Sequence, residues 1–142
     1  RWFFASNDVV FRPGALEKLC EARTDEITLS DVFPYWQAFS VGYEAVRRLG
    51  FFADESFFPA YFEDTDLTVR AEHHGVPIRK LDFPLDHDNS STLKSDPVFQ
   101  ALNNGTYVRN MKRHDDKVAR EDFGPGGWDV ERRRANGWEP GR

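Results

Sequence analysis

Sulfur is nearly absent from this 142-residue chain, which has one cysteine and one methionine. A single thiol, Cys20, excludes an internal disulfide and any cysteine-built zinc site, and it suits a reducing compartment. Long apolar runs are missing as well. The longest, Phe57 to Phe62, has six residues and contains Pro59, far short of a membrane span. No charged-then-apolar leader opens the chain. Basic excess is absent too: the formal net charge is −5, which argues against non-specific nucleic-acid binding. Also lacking are a Gly-x-Ser-x-Gly elbow, a His-Glu-x-x-His helix, a glycine-rich phosphate loop, internal repeats and low-complexity tracts. Two Asn-x-Ser/Thr matches, at Asn89 and Asn104, are short patterns that arise often by chance.

What remains is a chain of one-domain size, 39% hydrophobic and 30% charged, as expected of a globular protein. Its acids are unevenly placed. Residues 54–88 carry nine (Asp54, Glu55, Glu63, Asp64, Asp66, Glu72, Asp82, Asp86, Asp88) against three bases (Arg70, Arg79, Lys80), a net −6, so the rest of the chain sums to +1. Aromatic residues are also concentrated, with eleven of 21 between Phe33 and Phe62. Most belong in a core, although an aromatic wall beside acids also suits the apolar faces of sugar rings.

The apolar pattern alternates between strand and helix. Strands are expected at Arg1–Ala5, Val9–Phe11, Glu26–Leu29, Trp36–Val41 and Pro77–Leu81. Pro13-Gly14 opens a helix through Ala22, with Cys20 as small core filler, and Gly42 to Leu49 forms another, stopped by Gly50. Glu63 to His74 has acids in its first turn and Gly75 just beyond its end, both marks of a helix. His73 and His74 at its end are expected to point apart. Asp96-Pro97 starts a long helix expected to end near Met111, weakened by Asn104-Gly105. From Lys112 the tail is charged but balanced, with Gly124-Pro125-Gly126-Gly127 and Arg132-Arg133-Arg134, and reads as an exposed or partner-bound arm. The order of elements implies an α/β domain.

Three polar clusters fall at strand ends or helix starts, where α/β proteins hold ligands. Ser6-Asn7-Asp8 is compatible with a simple turn. Glu63, Asp64 and Asp66 place three mutually repelling carboxylates in four residues. The positive end of a helix dipole accounts for one or two of them, and a carboxylate at a helix start backed by apolar residues is also a general-base candidate. Asp86 to Thr92 is expected as a polar turn containing His87, a solvated imidazole or a metal ligand.

In order and spacing these blocks resemble family-2, GT-A fold glycosyltransferases over about residues 2–111. The run Ala5-Ser6-Asn7-Asp8-Val9-Val10-Phe11-Arg12-Pro13-Gly14-Ala15-Leu16 resembles the family's Asp-x-Asp segment. Gly50-Phe51-Phe52-Ala53-Asp54-Glu55 resembles its Gly-Phe-Asp-Glu stretch, and Tyr61 to Arg70 resembles its acceptor-side Glu-Asp motif. His87, followed by Ser90-Ser91-Thr92, resembles the histidine completing the metal site. Ser6 stands where the family's first aspartate would be, and the family's opening strands, which carry the base- and ribose-binding residues, have no counterpart ahead of Arg1.

The resemblance implies a partial GT-A fold, α/β with a mixed sheet and flanking helices and without those nucleotide-binding strands. Residues 1–111 would form the domain portion and 112–142 a C-terminal arm. It also implies an inverting, metal-dependent glycosyltransferase, cytoplasmic, moving a sugar from a nucleotide-diphosphate donor to a glycan or other hydroxyl acceptor. Asp64 would be the base, with Glu63 and Asp66 shaping the acceptor pocket or orienting Asp64. Asp8 and His87 would hold Mn²⁺ or Mg²⁺, and Asp66, Trp36, Phe58, Tyr61, Ser6 and Asn7 would bind substrate. Two other classes remain open: a non-catalytic binding or assembly module completed by a separate N-terminal half or a second copy, and a metal-dependent hydrolase using Asp8, Asp64 and His87.

Overall fold

The computed structural model describes residues 1–50, 54, 56, 57, 60–87 and 95–124. It is α/β, with a mixed four-stranded sheet and flanking helices. Strands β1 (Trp2–Ala5), β3 (Ile27–Ser30), β4 (Ala38–Val41) and β5 (Ile78–Leu81) form that sheet in the order β1-β4-β3-β5. Only the β3–β5 pair is parallel, with Ile27 opposite Ile78. A second, two-stranded sheet joins β2 (Val9–Phe11) to β6 (Leu85–His87). The helices are α1 (Ala15–Leu19), α2 (Tyr43–Leu49), α3 (Glu63–His73) and α4 (Pro97–Ala119).

The main core joins the sheet to α2 and α3: Ile27, Leu29 and Val41 meet Ala45, Leu49, Leu67 and Ala71, all buried. Each buried leucine there contributes about 1.5–3 kcal/mol of hydrophobic stabilisation. A smaller cluster of Ala15, Leu19, Ala38 and Phe83 seats α1 against the β2–β6 ribbon, which packs against it through Val9, Phe11 and Leu85. Gly42, at the start of α2, leaves room for the Thr24 backbone, which occupies the space a β-carbon would need. The Thr24 carbonyl accepts from the amides of Glu44 and Ala45, satisfying two free donors of α2. Gly50 then ends α2 with a positive φ of 79°.

Several sequence expectations need correction. Trp36 and Gln37 lie in a 3-10 turn, Tyr35–Gln37, and the strand begins at Ala38. The cis peptide Phe33–Pro34 immediately precedes that turn. Cys20 is exposed at the C-cap of α1 and fills no core. His73 and His74 do not splay apart: their rings meet edge-on at 4.9 Å, and His73 stacks on Phe123. Asp86 and His87 lie in strand β6, since their backbones pair with Val10 and Val9.

The largest difference is α4, which runs through Asn104-Gly105 and Met111 to Ala119. Its inward stripe is Asn103, Thr106, Asn110, His114 and Lys117, at helical spacing but polar throughout. Val98, Leu102, Val108, Met111 and Val118 face outward instead. A search for apolar periodicity reads such a helix as ending early. The stretch from Lys112 therefore continues the helix, with Lys117 buried. The Gly-Pro run beyond Gly124 and the three arginines lie outside the described residues.

Candidate functional site

Two polar centres can be built from these elements. The first comes from the β2–β6 ribbon. Antiparallel register places Val9 opposite His87, so Asp8, one residue before the strand, falls beside the imidazole. His87 Nε2 lies 3.2 Å from Asp8 Oδ1, and both side chains are mostly buried. Arg12 clamps the next residue of the ribbon with two 2.8 Å bonds to Asp86. Those bonds and the guanidinium charge hold the exposed Asp86 carboxyl below its ordinary value.

One carboxylate oxygen and one imidazole nitrogen form a donor pair suited to Mn²⁺ or Mg²⁺. Neighbouring ligands on an octahedral ion of this size sit about 3 Å apart, close to the observed spacing. Among the described residues no group of three His, Cys, Asp or Glu side chains surrounds a common point. An ion held by this pair would need its remaining ligands from elsewhere. Ser6 and Asn7 are exposed in the β1–β2 turn beside it, with the Ser6 amide bonded to the Gln37 carbonyl.

The second centre is the start of α3. Tyr61 and Phe62 both take left-handed backbone conformations, φ 72° and 75°. Bulky residues rarely adopt these angles, and a cost of order 1–3 kcal/mol per residue is maintained only by surrounding contacts. Those contacts come from α4: Tyr107 meets both Tyr61 and Phe62, His114 lies against Phe62, and Asn110 Nδ2 donates to the Ala60 carbonyl. His114 Nε2 and Asn103 Oδ1 on this inner face are buried with no hydrogen-bond partner among the described residues.

The three acids of the turn separate by environment. Asp66 is buried between two cations, its Oδ1 2.6 Å from Lys117 Nζ and its Oδ2 accepting from Arg70 Nε at 2.8 Å. Both of its oxygens are therefore taken by cations of the protein itself, an arrangement that matches the expectation of a residue orienting Asp64 better than one lining an acceptor pocket. Asp64 Oδ1 accepts from the amide and hydroxyl of Thr65 at 2.7 and 3.3 Å. Its Oδ2 has no hydrogen-bond partner among the described residues. Glu63 keeps much of its surface in solvent, yet the protein around its carboxyl disfavours charge. Asp64 adds like-charge repulsion, and the Glu63 carboxyl stands above its ordinary value.

Asp54, in the segment before α3, completes this region. Its Oδ2 accepts from Lys117 Nζ at 2.8 Å, and its Oδ1 accepts from the Ser56 amide and hydroxyl. Burial alone would raise its pKa. The bonds from Lys117 and Ser56, with the ammonium charge, outweigh that and hold the carboxyl well below the usual range.

The expected aromatic residues divide likewise. Trp36 packs on Phe39 at the margin of the main core. Tyr61 is half-exposed, edge-to-face with the equally accessible Tyr107. Phe58 lies outside the described residues. Sequence reading missed Tyr107, Asn110, His114 and Lys117, because a polar helical stripe resembles a solvated face; its one signal was spacing of three and four residues. No helix among the described residues is long and apolar enough to cross a membrane. Comparison of the chain with family models, curated proteins and solved structures finds no match.

Proposed function

We propose that this chain is the metal- and acceptor-side portion of an inverting glycosyltransferase of GT-A type. The observation that carries the reading is the pairing of Asp8 with His87 across the β2–β6 ribbon, in a chain that also holds Asp64 at the mouth of α3. Asp64 takes the proton of an acceptor hydroxyl as that oxygen attacks the anomeric carbon of a nucleotide-diphosphate sugar. The bond from that carbon to the diphosphate breaks, and configuration inverts. Thr65 holds Asp64 Oδ1, which leaves Oδ2 to receive the proton. General-base assistance of this kind contributes roughly 10²–10⁴-fold.

Asp8 and His87 would hold Mn²⁺ or Mg²⁺, which when bound stabilises the charge developing on the leaving diphosphate. A cation also reverses the sign of a strongly acidic segment that would otherwise repel the donor. Ser6 and Asn7 border the donor side. Tyr61 offers an aromatic face to the acceptor sugar. Glu63, held above its ordinary value, assists at the acceptor side.

The test is transfer from UDP-glucose, UDP-galactose, GDP-mannose and dTDP-rhamnose to octyl glucoside in Mn²⁺, with wild type and Asp64→Asn. Loss of transfer in a folded variant that still binds metal supports the assignment. Near-normal turnover in Asp64→Asn removes Asp64 from the chemistry. Hydrolysis of the sugar nucleotide at a rate indifferent to acceptor would favour the hydrolase instead.

The assembly-module reading has its own support in the outward apolar residues of α4 and in exposed Trp2 and Phe3 on the edge strand β1. A concentration-dependent mass in light scattering, with no transfer under any donor, would favour it.

A further inference from the structure

One cation among the described residues, Lys117, ties together three separate segments. Lys117, on α4, bonds Asp54 in the segment before α3 and Asp66 in the first turn of α3. Arg70 takes the other oxygen of Asp66. Among the described residues, two carboxylates and two cations thus meet in a buried cluster of equal and opposite formal charge. Glu63 and Asp64 stay outside it, with no ion-pair partner among the described residues.

We propose that Lys117 is a positioning residue for the acidic turn, acting through Asp66 to fix where Asp64 points; the catalytic part of this role rests on the reading of Asp64 as general base. Helix α4 grips the turn at both ends. Asn110 holds the Ala60 carbonyl just before the left-handed pair, and Lys117 holds Asp66 just after Asp64. A segment strained in this way relaxes toward commoner backbone angles once one grip is lost. Loss of Lys117 also leaves Asp54 and Asp66 with Arg70 as the remaining cation of the set, so repulsion would drive the turn outward.

The experiment compares Lys117→Met, Lys117→Arg and Lys117→Met/Asp54→Asn with wild type. The double variant restores charge balance without restoring the link, and it keeps the comparison available if the single change prevents folding. The Thr65 amide proton, bonded to Asp64 Oδ1, reports the geometry of the turn by NMR. Folded Lys117→Met and the double variant are expected to displace that resonance, and Lys117→Arg to return it. Where transfer is measurable, kcat should fall on the order of 10²-fold with donor KM little changed. A Thr65 resonance at its wild-type position in either folded methionine variant overturns the proposal. A displaced resonance in a chain whose wild type transfers no sugar removes the transferase reading and leaves the positioning role standing.

Discussion

His87 Nε2 lies 3.2 Å from Asp8 Oδ1, and strand register brings the two together. Because side chains alternate along a strand, a one-residue slip of β6 against β2 would turn the imidazole to the opposite face. The Arg12–Asp86 pair, one step along the ribbon, favours the observed register.

Manganese should therefore broaden the His87 imidazole resonances ahead of those of His73, His74 and His114. Chelator should restore them, and Asp8→Asn should remove the selectivity. Equal broadening of all four histidines would exclude a specific site.

Stability should fall in acid, and Asp54 is the main residue to examine. Its folded pKa is depressed, so it adds stability that is complete above the unfolded-state value of about 3.9 and is lost as pH drops below it. Buried Glu26 behaves in the same sense: burial raises its pKa, but bonds from Arg79, the Arg23 amide and Thr28 more than reverse this. Urea unfolding at pH 7 and pH 3 should show a smaller acid loss in Asp54→Asn than in wild type. Identical losses would contradict the role given to the Lys117 bond.

Two glycines should respond to alanine with opposite signs. Gly42→Ala drives a methyl group into the Thr24 backbone, which also caps α2, and should cost about 3 kcal/mol or more. Gly105→Ala meets open space in the interior of α4 and should stabilise by about 0.5–1 kcal/mol. Denaturant midpoints decide both. A stable Gly42→Ala would mean that the close approach of Thr24 to α2 has been misread.

Tyr61→Gly relieves a left-handed backbone and removes an exposed ring. Melting temperature should hold or rise, while acceptor KM rises several-fold and donor KM stays unchanged. A marked loss of stability would show that the Tyr107 contact outweighs the backbone strain.

Much of the framework was readable from residue order. Glycine at Gly50, the Asp96 cap and the apolar spacing of Leu67 and Ala71 are local signals, and the elements carrying them lie close to where those signals point. The Asp8–His87 pair was expected only through resemblance, since nothing local ties two residues so far apart in the chain.

What tertiary structure alone decided was the sorting of the acids. By composition and charge pattern alone Asp54, Glu63, Asp64 and Asp66 are four carboxylates in one acidic quarter of the chain, and only the family resemblance gave them different roles. Folding brings Lys117 from a distant helix onto Asp54 and Asp66, and a buried carboxylate must find such a partner or become neutral. Glu63 and Asp64 stay outside that ion-paired set, with no cation beside them among the described residues. Spacing along the chain determined that acids would crowd the start of α3. The positions of Lys117 and Arg70 determined which of them are held in buried ion pairs.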